Sequence, residues 1–266
     1  MTSLRRYTQA NRTSWNQIMP ARPGRPPSFF ESGGTTLEDF EVRLAGDVTG
    51  KRILQLACSV GDEALSWAAL GADVTGIDIS EVAIDLARDK SLGAGIAVDF
   101  RHADIFDLPA DLTGFDLIYC SWGAICWVPD LIVFAGILAD RLRPGGSVLL
   151  AEHHPVWEVL AVRGSDHLSV HGNYFSRTTP RTDIDNAKLP TGARDNPAAP
   201  EFSSFVWPAS DVVMSLLNVG LHLDTFFEAP EPDLYPGLSS AAHLPAIYVI
   251  KATKPDVSHE TSTASH

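Results

Sequence analysis

The sequence predicts an α/β fold: a seven-stranded, mostly parallel sheet with helices on both faces, an antiparallel strand near one edge, and a long insertion after the fifth strand. Three observations carry this reading. An apolar run at 53–56, a turn of small residues through Gly61, a short helical run and a second apolar run ending at Asp78 make a β-α-β unit. Apolar runs and helical patterns keep alternating to residue 152, and the run at 147–152 is apolar enough to be buried on both faces. After an aperiodic stretch, two more apolar runs, at 221–227 and 246–252, read as an antiparallel pair at the sheet edge.

Taken in order, residues 1–50 read as a helical lead-in or lid followed by a loop, with Tyr7, Trp15, Phe29, Phe30 and Phe40 as apolar anchors. Proline, glycine, serine and threonine make 21–36 irregular, and Thr35 or Thr36 is the expected N-cap of the short helix that follows. The body of the domain spans 51–254. Its first strand is 52–57, and the next helix, 62–70, stops at Gly71. The second strand is 73–78. Ser80 caps a helix with Glu81 in its first turn, and Val82, Ala83, Leu86 and Ala87 mark the buried face. Strands follow at 97–102 and 115–120. Pro129 is expected to open a helix in which Leu131, Phe134, Ile137, Leu138 and Leu142 recur at helical spacing, and Pro144-Gly145-Gly146 to end it before the strand at 147–152. Residues 155–207 form the insertion. Aromatic residues punctuate it, and an aperiodic stretch of this length inside a compact domain is usually a lid or binding loop. Ser210 is the expected cap of a helix through Val219, and the tail 255–266 reads as disordered.

With 266 residues and 45% hydrophobic residues the chain can bury a large core. No apolar run is long enough for a membrane span, and the first 16 residues lack a signal-peptide centre, so a cytoplasmic location and no membrane partner are expected. The net charge of −13 disfavours phosphate backbones and favours a small-molecule substrate over nucleic acid. Cys58, Cys120 and Cys126 show no paired spacing, and His167 and His171 lack a helical pattern between them, so no disulfide framework or metal site is expected. Monomer and homodimer both fit.

The turn at 55–61 is followed by the acid-ended strand 73–78, by Ala103-Asp104-Ile105, and by Leu142-Arg143-Pro144-Gly145-Gly146. In that order these blocks resemble a class I S-adenosylmethionine-dependent methyltransferase with a Rossmann-like fold. Leu56-Ala57-Cys58, Cys126-Trp127 and His154-Pro155 resemble the bacterial small-molecule, secondary-metabolite subgroup. The resemblance covers 52–152 well and extends to 252. It implies S-adenosylmethionine as cofactor, held by Gln55, Ala57, Cys58 and Gly61 in the first turn. Asp78 and Ile79 then meet the ribose, Ala103, Asp104 and Ile105 the adenine, and Ser121 and Trp122 the methionine part. The first turn departs from the family: Gln55 stands where an acid is usual, and Ala57 and Ser59 replace glycines, although side chains there resist positive φ.

His153 and His154 follow the fifth strand at the carboxyl edge of the sheet, where such folds place ligands, and are the candidate catalytic bases. Tyr7, Trp15, Trp127, Trp157 and Tyr174 are the candidate substrate-binding residues, shaping a pocket for an aromatic or apolar acceptor whose O, N or C atom is methylated. The turn after the fourth strand reads Cys120-Ser121-Trp122-Gly123, which lacks the Pro-Pro pattern of nucleobase amino methyltransferases. Two alternatives stay open. One is an S-adenosylmethionine-binding protein with a cyclase or regulatory role. The other is a nicotinamide-dependent oxidoreductase, disfavoured because Gly-x-Gly-x-x-Gly is absent.

Overall fold

In the computed structural model of the protein, residues 3–256 are described apart from 165, 182–183, 186–187, 195–197 and 199. The segment 257–266, most of the tail expected to be disordered, lies outside the described residues.

The core alternates β1 (Arg52–Leu56), α4 (Asp62–Ala69), β2 (Asp73–Asp78), α5 (Glu81–Ala94), β3 (Asp99–His102), β4 (Phe115–Ser121), α6 (Leu131–Arg141) and β5 (Leu142–His153). Helices α1 (Ser3–Ile18), α2 (Pro27–Glu31) and α3 (Asp39–Ala45) precede it. After it come α7 (Pro155–Val159), the short strands β6 (Leu160–Val162) and β7 (Leu168–Val170), α8 (Ala209–Asn218), β8 (His222–Ala229) and β9 (Ile247–Thr253). The seven-stranded sheet runs β3-β2-β1-β4-β5-β9-β8, and β9 pairs antiparallel with both β5 and β8. The expected reversed strand is therefore β9, one place in from the edge.

Two apolar layers sandwich the sheet. Leu54, Ile118, Phe134, Leu138, Leu150 and Ile250 pack on the α6–α8 side, and Ile53, Trp67, Ile84, Phe100, Tyr119 and Leu149 on the α3–α4–α5 side. Strand order reverses between β1 and β4, and the crevice above their carboxyl ends is where an open α/β sheet offers a ligand site.

Several helix starts differ from expectation for local reasons. The cap of α3 is Glu38, because the Glu41 carboxylate reaches back to accept the Glu38 N–H at 2.8 Å while Tyr119 donates to its other oxygen at 2.6 Å. Asp130, not Pro129, starts α6, its carboxylate accepting the N–H groups of Ile132 and Val133. Pro208 rather than Ser210 precedes α8. Pro144, Gly145 and Gly146 lie inside β5, which begins at Leu142 and pairs with β4 across a register shift.

Helix α1 lies across the carboxyl end of the sheet and is tied to core and insertion alike. Arg12 makes a two-pronged ion pair with Glu81 (2.8 and 2.9 Å), and the Ser80 hydroxyl donates to Asn16 at 2.7 Å. On its other side Asn11 exchanges two hydrogen bonds with the Ser203 backbone (2.8 and 2.9 Å), and Ser14 donates to the Glu201 carbonyl. The chain after α1 is pinned next to the turn by Asp62, which accepts the Arg25 N–H and pairs with the buried Lys90.

Candidate active site

The turn after β1 is built in the left-handed region. Ala57, Ser59 and Gly61 have φ of 54°, 51° and 80°. Only Gly61 is the residue type that adopts this freely, and it must be glycine: an added Cβ would meet the Phe100 ring and, at 3.1 Å, Ala87. Asp78, at the end of β2, holds the turn from the side. Its carboxylate accepts the Ser59 and Ser80 N–H groups, each at 2.8 Å. Burial pushes this carboxyl up from its usual value, while these N–H donors and His102 pull it down. Asp104 caps the short turn after β3, accepting the Phe106 N–H at 3.0 Å and the Thr8 hydroxyl of α1 at 2.6 Å.

The turn after β4 is held from beneath. Glu152 is buried on β5, and its carboxylate accepts the N–H groups of Gly123, Ala124 and Ile125 at 2.8–3.0 Å. Burial still raises its carboxyl to about 7. Trp122, at the head of this turn, has φ 45°, a strained value for a bulky side chain that aims it into the crevice.

Above these turns lies a cleft whose empty space, counted to its open mouth, is about 880 Å³. The cleft brings together Ala57, Asp78, Ile79, Asp104, Ile105, Ser121, Trp122, Trp15 and Trp127 from the sequence reading. Helix α1 and the following turn add Thr8, Asn11, Met19 and Arg22, and Ser59 and Phe106 complete the central wall. Trp15, Trp127 and Phe202 form an aromatic cluster with ring centroids 5.1–5.5 Å apart at its rim.

Other predicted residues stand outside the cleft. Gln55 is buried in β1 beneath the turn, with Oε1 unpartnered. Cys58 lines a neighbouring cavity, and burial raises its thiol well above the usual value. Gly61 caps α4, and Ala103 donates its N–H to the Asp78 carbonyl. Tyr7 packs edge-on to Phe205, Trp157 donates to the Leu234 carbonyl, and the Tyr174 hydroxyl accepts the Ala209 N–H. His154 caps α7, Nδ1 accepting the Val156 N–H while Nε2 bonds Glu228 at 2.6 Å. His153 sits nearer the cleft. It stacks on Trp157 (4.6 Å), its ring centroid is 6.0 Å from that of Trp122, and it lines a small recess behind Gly123 with Cys126 and Glu158. Burial lowers its pKa, which keeps the imidazole neutral.

Thr8, Asn11, Met19 and Arg22 are absent from the sequence reading. Their only signal was membership of an amphipathic lead-in, with nothing to say which face meets the cleft. Among the described residues no cluster of His, Cys, Asp or Glu could hold a metal ion, and no helix is long and apolar enough to cross a membrane.

Residues 53–146 match the family model described as a methyltransferase domain. No curated protein matches the chain. Among solved structures, the chain is similar to an S-adenosylmethionine-dependent methyltransferase from Mesorhizobium loti (TM-score 0.60, 20% identity, covering 80% of this chain and 95% of that one). It is similar to another from Methanosarcina mazei (TM-score 0.60, 20% identity, 83% and 99%). It is also similar to the [4+2]-cyclase SpnF (TM-score 0.59, 18% identity, 94% and 97%). At these identities the likeness establishes a shared Rossmann-like fold.

Proposed function

Because residues 53–146 carry a methyltransferase domain by sequence, we propose that this chain transfers a methyl group from S-adenosylmethionine to a small aromatic or apolar acceptor. The observation that carries the reading is the convergence of the positive-φ turn, Asp78, Asp104 and Trp122 on one cleft at the strand-order reversal. When bound, the donor supplies an electrophilic methyl on a sulfonium. Asp78 takes the ribose hydroxyls, Asp104 and Ile105 take the adenine, and Ala57, Ser59 and Ser121 face the amino-acid part. The rings of Trp122, Trp15 and Trp127 suit both a methyl cation and a flat acceptor. The protein's contribution is orientation and exclusion of water. For an oxygen or nitrogen acceptor, His153, held neutral behind Gly123, is the group that takes the proton. A carbon acceptor on an electron-rich ring asks less of it. The aromatic lining supports a natural-product-like substrate of secondary metabolism.

The test is isothermal titration with S-adenosylmethionine and S-adenosylhomocysteine, on the protein and on Asp78→Ala. Micromolar binding, about −8 kcal/mol, lost in the variant, supports the reading; a folded protein that binds neither overturns it. A second reading, donor binding without methyl transfer, is kept because the shared fold extends to a cyclase along 94% of the chain. Product analysis with methyl-labelled donor separates the two.

A further inference from the structure

Arg143 and Gly145, in the Pro-Gly stretch that opens β5, take no part in the cleft. They wall a cavity at the opposite end of the sheet, with about 580 Å³ of empty space counted to its mouth. Lys51 stands just before β1, Asp116 near the start of β4 and Lys251 on β9, and Ala45 joins them from the end of α3. Gly145 has φ 72°, and a Cβ there would crowd Arg143 Nη1 at 3.2 Å and Asp256 Oδ1 at 3.0 Å. A glycine at this point leaves the guanidinium its place in the wall.

The chain carries a net charge of −13, yet the sign is reversed here. Among the described residues three cations, Lys51, Arg143 and Lys251, and one carboxylate, Asp116, line the cavity. Asp116 is fully engaged: one oxygen accepts the Arg52 N–H at 2.8 Å and the other accepts Arg143 Nε at 2.6 Å. Lys251 is half-buried and donates to the Leu44 carbonyl at 2.7 Å, a neutral partner. Among the described residues neither Lys51 nor Lys251 has a carboxylate in ion-pair range. Asp47 and Asp256 are exposed and line no part of the cavity; Asp47 accepts the Thr49 N–H at 3.0 Å, and Asp256 lies beside Gly145. Three positive charges against one negative leave a surplus of two around one hollow, whose walls concentrate the field.

We infer that this cavity binds the phosphate group of a small molecule, free or as a monoester, at a site separate from the cleft. A phosphate monoester carries about −1.5 to −2 charges near neutral pH and three strong acceptor oxygens, which matches the surplus of two. The ammonium groups of Lys51 and Lys251 meet it as point charges, and Arg143 adds the guanidinium N–H groups that Asp116 leaves free. The anion would join α3, the start of β1, β5 and β9, so binding stabilises the fold without competing for the cleft.

The test titrates inorganic phosphate and glycerol phosphate into the full chain by calorimetry, with potassium chloride holding the ionic strength constant. Lys51→Met, Lys251→Met and Arg22→Met are titrated alongside; Arg22 is the one cation among the described residues lining the cleft. One saturable phosphate site is expected, with a rise in Tm that chloride does not give. Lys51→Met and Lys251→Met should each weaken it by about 10–100-fold, the range for a charge-assisted bond, and Arg22→Met by no more than about two-fold. Should Lys251→Met lose its fold with the Leu44 bond, Lys51→Met decides alone, its melting point without phosphate showing that it is folded. Glycerol phosphate binding in the same pattern extends the site to monoesters, and binding of phosphate alone makes it a site for the free anion. No saturable binding overturns the inference, as does binding that Lys51→Met leaves unchanged. Loss of binding in Arg22→Met overturns it too, because the anion then sits in the cleft.

Discussion

The turn after β1 carries strain that can be measured. Ala57 and Ser59 sit at φ 54° and 51° with side chains attached. The left-handed region costs an L-residue roughly 1–2 kcal/mol. Glycine removes that cost but loses roughly 0.5–1 kcal/mol through its freer unfolded chain. Ala57→Gly and Ser59→Gly should therefore each stabilise the fold by about 0.5–1 kcal/mol. The two residues share one turn, so the pair need not add fully, and about 1–2 kcal/mol is expected for the double variant. For a chain of this size that raises Tm by about 2–8 °C. Gly61→Ala runs the other way. It meets the same backbone penalty and drives a Cβ into the ring of Phe100, whose Cε1 lies 2.8 Å away and which is itself buried. A loss of about 2–5 kcal/mol follows. Thermal and urea unfolding of the four variants and the unaltered protein, all without ligand, give the answer. If both glycine variants are neutral or less stable, the φ values do not represent strain and the reasoning fails.

Two further outcomes follow from buried charge. Burial lifts the Glu41 carboxyl from 4.5 to about 7, so between those values the folded protein keeps a proton that the unfolded chain has released. Stability should fall as pH rises through this window, and Glu41→Gln should flatten the slope by up to about 1.4 kcal/mol per pH unit; an unchanged slope in urea melts refutes it. His154 caps α7, bonds Glu228 and stands outside the cleft. His154→Ala should cost about 1–3 kcal/mol of stability and leave S-adenosylhomocysteine affinity within two-fold; a ten-fold loss in titration would give His154 a direct role.

The sheet was legible because its signals are local. Each strand is an apolar run, each helix has a cap or a period, and the order of these elements allows few topologies. The predicted acids Asp78 and Asp104 fall at strand ends, where topology alone brings them to one crevice. The insertion was not legible, because its aromatic residues go to several places. Phe202 joins Trp15 and Trp127 at the rim, whereas Trp157 packs with Tyr235 and Leu160 in a separate cluster. Nor could spacing separate His153 from His154. His153 ends β5 while His154 caps α7, and only the packed structure shows which one backs onto Gly123. Glu152 was invisible as the support of the Trp122 turn, since its three N–H donors come from residues 27–29 positions earlier.

The clamping of α1 also bears on how the molecule is made. The Asn11–Ser203 bonds join residues 192 positions apart. At ribosomal rates of about 5–20 residues per second, α1 leaves the ribosome roughly 10–40 s before its partner does. Met19 can pack early on Val60 and Ala83, but throughout that interval Ile18 and the edge of Trp15 lack Ala193 and Phe202, which cover them in the folded protein. The helix that roofs the cleft thus has early partners on one side and late ones on the other, and a nascent chain stalled before residue 201 leaves that second side bare, a sticky segment of the kind chaperones hold.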